Sequence, residues 1–215
     1  MARILITSGP TRQYLDPVRY LTNGSSGRMG KALAEAALEL GHEVIIISGP
    51  VEVTYPAAAE VVSVISTEEM LAAAEQRFTE CDGLIGAAAP CDYRPVVIAK
   101  GKIQKTGQPL ELRLIETPDI VATLGANKAP GQWVVGFALE TDDARFRALV
   151  KAEQKSCDLM VANGPQAMHS PDNQVEVLNR AGQTLAQLAG PKEEVARGIL
   201  QIIQRELIAP EQPQA

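Results

Sequence analysis

Glycine and serine residues cluster just before the first predicted helix, in a pattern that could bind an anion. Residues 23–30 read Asn-Gly-Ser-Ser-Gly-Arg-Met-Gly, and a first predicted strand ends upstream in Ser8-Gly9. Glycines let the backbone approach a ligand closely, and the free amides at a helix N-terminus stabilise negative charge. We therefore predict a phosphate-binding turn formed by Gly9, Ser25, Ser26, Gly27 and Gly30.

The spacing of these glycines differs from that of the two commonest phosphate-binding motifs. A P-loop has four residues between its glycines and then Lys-Ser or Lys-Thr, whereas this chain has five residues between Gly24 and Gly30 and an alanine after Lys31. A dinucleotide fingerprint has GxGxxG directly after the strand, whereas GxxGxxG comes here roughly fifteen residues later. A turn that only caps a helix is the alternative, which the arginines at positions 12, 19 and 28 disfavour.

A later predicted strand ends in small residues followed by a carboxylate. The segment Gly86-Ala87-Ala88-Ala89 would permit close contact with a ligand, although tight packing explains small residues equally well. Asp92 could orient a ribose hydroxyl or bind a magnesium ion carried by phosphates. Ligands of open parallel sheets lie beyond the carboxyl ends of the strands, so we place both loops in one site.

Three lysines could supply positive charge to that site. Lys102 lies where a mobile ammonium could reach phosphate charge that develops in a transition state. Lys151 and Lys155 lie four residues apart on a predicted helix and could bind a triphosphate together. For each of them, a solvated surface lysine is the competing interpretation.

Short apolar runs alternate with helical segments along the chain. The predicted strands are residues 3–7, 43–48, 61–65, 83–87, 133–137 and 159–162, with an antiparallel pair at 174–178 and 183–188; the predicted helices are 28–40, 67–78, 142–156 and 192–208. This alternation predicts an α/β fold with a doubly wound, mostly parallel Rossmann-like sheet. We expect one nucleotide-binding domain over residues 1–208 and a disordered tail over residues 209–215.

Helix boundaries carry signals of their own. Ser66 with Glu69 forms a capping box before the second helix, and Gly41 ends the first. Thr117, Pro118 and Asp119 predict the start of a short helix with Thr117 as N-cap, so structure alone explains them.

One segment interrupts the alternation. Over residues 102–114, Leu110, Leu112 and Leu114 alternate with polar residues after a Thr106-Gly107 turn, which predicts an inserted β-hairpin arm that is apolar on one face. The leucines would be buried against a partner subunit or against the rest of the domain. We favour the partner subunit, and hence a homodimer.

Composition excludes several classes of function. The net charge of −6 argues against general nucleic-acid binding, which needs a broad basic surface. With no apolar stretch long enough for a membrane span and no secretory signal, we expect a cytoplasmic protein without membrane contact. Cys81, Cys91 and Cys157 lack CxxC spacing, and His42 and His169 lack metal-ligand neighbours, which predicts reduced thiols and no metal site.

Taken together, the motifs resemble one enzyme family over nearly the whole chain. They are Thr-Ser-Gly-Pro-Thr-Arg at 7–12, Asp-Pro-Val-Arg at 16–19, Thr-Asn-Gly-Ser-Ser-Gly-Arg-Met-Gly at 22–30, Ala-Ala-Pro-Cys-Asp-Tyr-Arg-Pro at 88–95, Lys-Ile-Gln-Lys at 102–105, Thr-Pro-Asp-Ile-Val at 117–121 and Val-Gly-Phe-Ala-Leu-Glu-Thr at 135–141. In this order they resemble the bacterial phosphopantothenate–cysteine ligases. Many of these are fused behind a flavin-dependent decarboxylase, and we expect a stand-alone synthetase here.

The resemblance implies a ligase that joins 4′-phosphopantothenate to L-cysteine, with CTP as co-substrate and Mg²⁺, through an acyl-cytidylate intermediate. Asn23 would hold the acyl-nucleotide and assist the second step, with Arg19 and Ala89 nearby. Lys102 would stabilise charge in the first step. The CTP site would be lined by Gly86, Ala87, Ala88, Asp92, Pro118, Asp119, Ile120, Val121, Phe137, Lys151 and Lys155.

Three departures from the family pattern accompany the match. Gly24 stands where relatives have a larger residue, Ala-Asn-Gly-Pro at 162–165 replaces Ala-Asn-Asp-Val, and one lysine is missing between Lys102 and Lys105.

Two other functions stay open. A nicotinamide-dependent short-chain oxidoreductase shares the fold but needs a Tyr-xxx-Lys pair, and no tyrosine of this chain has lysine four residues on. A non-catalytic nucleotide-binding protein would need only the phosphate-binding turn.

Overall fold

A computed structural model describes residues 1–139, 144–163 and 172–209. The strands are β1 (Arg3–Ser8), β2 (Arg12–Tyr14), β3 (Tyr20–Thr22), β4 (Glu43–Ser48), β5 (Glu60–Ser63), β6 (Gly83–Gly86), β7 (Tyr93–Pro95), β8 (Leu114–Glu116), β9 (Trp133–Leu139), β10 (Leu159–Asn163), β11 (Asp172–Asn179) and β12 (Thr184–Pro191). The helices are α1 (Arg28–Glu39), α2 (Thr67–Phe78), α3 (Ile120–Ala126), α4 (Ala144–Gln154) and α5 (Lys192–Ile203), and a π-helical turn, Gln204–Ile208, follows α5.

The central sheet confirms the predicted doubly wound α/β fold. Its strands lie in the order β12-β11-β10-β9-β6-β1-β4-β5. Six neighbouring strands of this sheet pair in parallel, namely β10, β9, β6, β1, β4 and β5. At the β10 edge, β11 and β12 add to the sheet in antiparallel pairing. The chain runs outward from β1 through β4 to β5, then crosses back to β6. Parallel sheets of this order bind ligands in the crevice between the two strands where the direction of winding reverses, here β1 and β6.

Alternate residues of the inner strands face two separate helical layers. On β1, Ile4 and Ile6 lie in the cluster with the buried residues of α1 and α5, whereas Leu5 lies in the cluster with α2, α3 and α4. This period-two burial on both faces is what a parallel sheet covered by helices requires. Full burial of a side chain such as Ile6 contributes roughly 1.5–3 kcal/mol to folding.

The helix-boundary predictions are right at two positions and wrong at one. Ser66 and Glu69 form the capping box of α2, and Gly41 adopts φ 80° after α1. At α3 the N-cap is Asp119, whose side chain accepts the N–H of Ala122 at 3.0 Å. Thr117 is not the N-cap, because its hydroxyl donates instead to the carbonyl of Cys91 at 2.7 Å.

The predicted hairpin over residues 102–114 is also corrected. The two strands that pair are β7 and β8, with Tyr93 opposite Glu116 and Pro95 opposite Leu114. The residues between them form an irregular loop, so the arm spans residues 93–116. Leucines alternate before β8, but the partner strand comes from the motif that follows β6 rather than from residues 102–106.

Several expectations concern residues outside the described ranges or the chain as a whole. Outside the described residues lie the start of the helix predicted over residues 142–156, residues 164–165, His169 and residues 210–215 of the tail. None of the helices in the described residues is both long and apolar enough to cross a membrane.

The three cysteines are free and buried. Burial raises the pKa of Cys81 to about 11 and that of Cys157 to about 12.

Gly83 shows why the strand next to β1 begins with glycine. A Cβ at this position would lie 2.1 Å from atoms of the Trp133 indole, which occupies the neighbouring register position on β9. We expect Gly83→Ala to lower the free energy of unfolding by about 1–3 kcal/mol, because the buried indole must shift. Urea denaturation followed by circular dichroism measures this change. Gly101→Ala is the control, since no atom lies within 4 Å of its Cβ position, and equal unfolding midpoints for the two variants would contradict the prediction.

Candidate functional site

The loops after β1 and β6 meet at the crevice between these strands. The N–H of Ala89 donates to the carbonyl of Gly9 at 2.9 Å, and Pro10 forms an isolated parallel bridge with Ala89. The N–H of Ala88 approaches the hydroxyl of Thr7 at 3.4 Å. The structure therefore brings together the two strand ends that the sequence predicted to share a site.

The glycine-rich turn forms the N-terminus of α1. Gly27 is the N-cap, with φ 75°, and no side chain caps the helix. At Gly30 a Cβ would lie 2.1 Å from the Ser8 hydroxyl oxygen, so glycine lets the first turn of α1 rest directly on the end of β1. Ser25 is half-buried and Ser26 is exposed. Uncapped amides and an exposed serine beside β1 are the features that an anion site needs.

Gly24 is the first of the three departures from the family pattern. No atom lies within 4 Å of its Cβ position. A larger side chain at position 24 would therefore enter open space.

Asn23 links this turn to the loop after β6. Its amide nitrogen donates to the carbonyl of Pro90 at 2.8 Å and approaches that of Ala89 at 3.4 Å. The side chain is half-buried at the junction of the two loops. Asn23 and Ala89 are thus in contact, as predicted.

A cavity of about 330 Å³ opens beside this junction. Its lining contains the predicted residues Gly86, Ala88, Asp92, Pro118, Asp119, Ile120, Val121, Phe137 and Lys155, together with Thr7, Pro90, Tyr93, Glu116 and Thr117. The volume falls within the range of small-molecule sites. At Gly86 a Cβ would lie 2.5 Å from a methyl group of Val121, so glycine lets α3 approach the floor of the cavity.

Two predicted lining residues lie apart from the cavity walls. Ala87 packs against the apolar cluster on the α1 side of the sheet, and Lys151 lies in the last turn of α4. Lys155 follows α4 and forms an ion pair with Asp119 at 2.9 Å. The predicted pair of lysines is therefore divided, and only Lys155 contacts the cavity.

Arg19 is held by a buried carboxylate rather than pointing freely into the site. Its guanidinium forms an ion pair with Asp16 at 2.5 Å and donates to the carbonyl of Ile103 at 3.1 Å. Burial alone would raise the pKa of Asp16, but N–H donors from Ile103, Val18 and Arg19 and the Arg19 guanidinium hold it well below its usual value. Lys102, the residue before Ile103, is exposed and does not line the cavity.

The other arginines near the turn are arranged differently from one another. Arg12 stacks over the ring of Tyr20, with 4.5 Å from its guanidinium carbon to the ring centroid. Arg28 is exposed at the first position of α1. Since Asp16 offsets the charge of Arg19, Arg12 and Arg28 carry most of the positive charge that the turn presents.

Three threonines hold the loop after β6 in place. The N–H of Cys91 donates to the Thr11 hydroxyl at 2.8 Å, which also bonds the Thr67 hydroxyl at 2.8 Å. Thr67 and Thr117 both donate to the carbonyl of Cys91. The backbone N–H and carbonyl of Cys91, the residue before Asp92, are therefore both hydrogen-bonded. The partners lie as far as 80 residues apart, so no local pattern signals them.

No group of three or more His, Cys, Asp or Glu side chains in the described residues could hold a metal ion. The carboxylates that line the cavity are Asp92, Glu116 and Asp119, the last of which is paired with Lys155.

Comparison with known proteins identifies relatives over the whole site. The sequence profile of the DNA/pantothenate metabolism flavoprotein C-terminal domain matches residues 1–207. The chain is 41% identical over 186 residues to the coenzyme A biosynthesis bifunctional protein CoaBC of Vibrio vulnificus, covering 84% of this chain and 46% of that protein. The chain spans about half the length of the curated relatives it matches.

Solved structures agree with the fold. The crystal structure of the C-terminal domain of a CoaBC protein has a TM-score of 0.80 and 38% identity, covering 97% of this chain and 96% of that chain. A Cab2 variant in complex with phosphopantothenate-cysteine has a TM-score of 0.79 at 18% identity, covering 96% of this chain and 85% of that chain, and supports the fold alone.

Thr11 offers a test of how the loop after β6 is held. Thr11→Val keeps the shape of the side chain but leaves the buried N–H of Cys91 without its acceptor, so we expect a loss of about 1–3 kcal/mol in the free energy of unfolding. Thr11→Ser, which retains the hydroxyl, is the matched control. Urea denaturation of both variants decides the matter, and equal stabilities would show that the hydroxyl does not position the loop.

Proposed function

We propose a ligase function for this chain, which belongs to the family of the DNA/pantothenate metabolism flavoprotein C-terminal domain. It would join 4′-phosphopantothenate to L-cysteine with CTP and release CMP and pyrophosphate. The single observation that carries the proposal is the convergence of the glycine-rich turn, Asn23 and the cavity at the crevice between β1 and β6. The names of the coenzyme A biosynthesis relatives support it.

The proposed reaction has two steps. The carboxylate of 4′-phosphopantothenate attacks the α-phosphorus of CTP, and the bond to the pyrophosphate oxygen breaks to leave an acyl-cytidylate. The amine of cysteine then attacks the acyl carbonyl, loses a proton, and displaces CMP. Activation is needed because a carboxylate is a poor electrophile, and no side chain has to act as a covalent nucleophile.

The described geometry suits the binding part of this chemistry. The uncapped amides of the turn at Gly27 would bind phosphate oxygens, and the cavity beyond Ala88 would take the nucleoside. Asn23 lies between them, where its amide would hold the acyl-nucleotide and assist the second step. Lys102 on the arm would stabilise the charge that develops on the phosphates in the first step.

Mg²⁺ fits this site as an ion brought by the triphosphate. Such an ion keeps phosphate and water ligands and needs only one or two protein carboxylates. Asp92 and Glu116, which line the cavity, would hold it. When bound, it would offset phosphate charge. The free, buried cysteines support a reducing, cytoplasmic environment for the enzyme.

The reaction itself is tested by measuring pyrophosphate release from the purified protein with CTP, Mg²⁺, 4′-phosphopantothenate and L-cysteine. We expect release only when phosphopantothenate is present, and more with CTP than with ATP. Release that is independent of phosphopantothenate would refute the ligase. A nicotinamide-dependent reduction or nucleotide binding without turnover would instead support the two alternatives.

The role of Lys102 can be tested independently of the other lysines of the arm. We expect Lys102→Ala to slow phosphopantothenate-dependent pyrophosphate release about 10²–10³-fold, as for the loss of one group that stabilises transition-state charge. Stability should not change, because a single exposed charge contributes little to folding. Lys100→Ala is the matched control, since Lys100 is also an exposed lysine of the arm. Equal activities of the two variants would remove Lys102 from the mechanism.

We further propose that the arm joins two copies of this chain in a homodimer. Eight large apolar side chains of the arm are exposed: Tyr93, Val96, Val97, Ile98, Leu110, Leu112, Leu114 and Ile115. The exposure of the leucines, which the rest of the chain leaves only partly buried, supports the partner subunit over burial against the same domain. Large apolar side chains exposed in this number on one arm indicate a protein interface, and Lys102 belongs to the same arm.

The homodimer is tested by light scattering coupled to size-exclusion chromatography. The wild type should elute at twice the chain mass of 23.0 kDa, and Leu112→Glu should shift it towards the monomer by burying a charge in the interface. Leu40→Glu is the matched control, because Leu40 is 44% exposed and Leu112 is 40% exposed. A monomeric wild type would contradict the proposal.

A further inference from the structure

Asp16 is a completely buried acid whose two carboxylate oxygens have different partners. Its Oδ1 accepts the N–H groups of Val18 and Arg19, each at 2.8 Å. Its Oδ2 accepts the N–H of Ile103 at 3.0 Å and a guanidinium N–H of Arg19 at 2.5 Å. One oxygen therefore closes a local turn, whereas the other reaches a residue 87 positions away on the arm.

Both backbone polar groups of Ile103 are bonded to this pair. Asp16 accepts the N–H of Ile103 at 3.0 Å, and Arg19 donates to the carbonyl of Ile103 at 3.1 Å. In addition, a backbone–backbone hydrogen bond joins the N–H of Ala99 to the carbonyl of Leu15 at 2.9 Å. The arm is thus attached to the β2–β3 segment on both sides of Lys102.

The arm has few other interactions that could fix its position within the chain. Between β7 and β8 the arm has no regular secondary structure, and Ala99 and Ile103 are its only residues between 96 and 113 that are not exposed. A loop with so little apolar burial has low local stability of its own. Within one chain, its position therefore depends on the few polar bonds that attach it.

A local turn alone does not account for Asp16. The bonds to Oδ1 would suffice for a turn of the kind that Asn or Asp forms with the backbone two residues on. Burying an ionised carboxylate is costly unless it is paired and hydrogen-bonded. The two donors at Oδ2, from Arg19 and the arm, complete that compensation, so release of the arm would leave a buried carboxylate partly unsatisfied.

We propose that Asp16 is a positioning residue that fixes Arg19 and the Lys102-bearing arm against the site as one unit. This inference rests on the proposed function, in which Lys102 acts in the first step. It assigns to Asp16 no contact with substrate. It predicts that the negative charge of Asp16 matters for the rate of the first step and for the attachment of the arm, and not for nucleotide binding in the cavity, which Asp16 does not line.

Asp16→Asn is the direct test, because an amide placed with its oxygen at the δ1 position keeps the local turn while its nitrogen cannot accept from Ile103 or Arg19. We measure trypsin cleavage after Lys105 on the arm, and expect it to be at least about tenfold faster in the variant, as for the loss of two hydrogen bonds to a charged group. Phosphopantothenate-dependent pyrophosphate release should show a similar fall in kcat. The KM for CTP and the CTP-binding stoichiometry should stay within about twofold, because the cavity is unchanged.

A second pair of variants reaches the same bond from the arm. Ile103→Pro removes the N–H that Asp16 accepts, whereas Ile103→Ala keeps it, so only the proline variant should show faster cleavage after Lys105. This pair keeps the proposal testable if Asp16→Asn does not fold.

Three outcomes would overturn the role of Asp16. They are wild-type cleavage of Asp16→Asn, faster cleavage with wild-type kcat, or a fall in kcat matched by an equal fall in CTP stoichiometry, which would indicate a merely structural role. If the wild type shows no phosphopantothenate-dependent release, the proposed function fails while the cleavage rates still judge the attachment of the arm.

Discussion

The site depends on one close approach of two backbone segments. The loop after β1 and the loop after β6 are joined by the bond from Ala89 to Gly9, which continues the parallel pairing of the strands beyond the end of the sheet. The glycine-rich turn lies on one side of this junction and the cavity on the other. Because parallel strands end at the same edge, residues far apart in the chain meet there without any strand having to bend.

Around this junction the chain uses threonines and a buried acid where a loop alone would be mobile. Thr11, Thr67 and Thr117 satisfy the peptide groups of Cys91, and Asp16 satisfies those of its own turn and of Ile103. Apart from those within the turn of Asp16, these bonds join residues between 24 and 87 positions apart in the sequence. They attach the loops of this edge to one another, and the buried bonds of Cys91 with Thr11 and Thr67 offset part of the cost of ordering the loops.

The sequence predicted the parts of the fold that follow from local pattern. The alternation of apolar runs located the parallel strands, and Ser66 with Glu69 located the start of α2, because both signals lie within a few residues. The first strand of the arm was predicted too late in the chain. The leucines at 110–114 indicated a strand, but its partner is β7, which lies in a segment interpreted from the sequence as a ligand-binding loop. Thr117 was assigned a capping role because a hydroxyl before proline favours it, whereas tertiary contact with Cys91 takes that hydroxyl.

The site was predicted to a similar degree and for the same reason. The residues of the turn and most of the cavity lining follow from strand ends and motif resemblance. Asp16 and Thr11 stood inside recognised motifs, but their roles depend on partners 87 and 80 residues away. Lys151 and Lys155 satisfied the helical spacing, yet of the two only Lys155, which pairs with Asp119, lines the cavity, and the spacing alone does not signal that difference.

The burial of all three cysteines has a consequence for an enzyme that would handle a free thiol in every turnover. Only a thiolate attacks a disulfide or an oxidant at an appreciable rate, and burial keeps the thiols of Cys81 and Cys157 protonated, with pKa values of about 11 and 12. Cystine formed from the proposed substrate would therefore react only slowly with Cys81 and Cys157. Burial of these thiols would thereby limit mixed disulfides with the amino acid that the chain is proposed to consume.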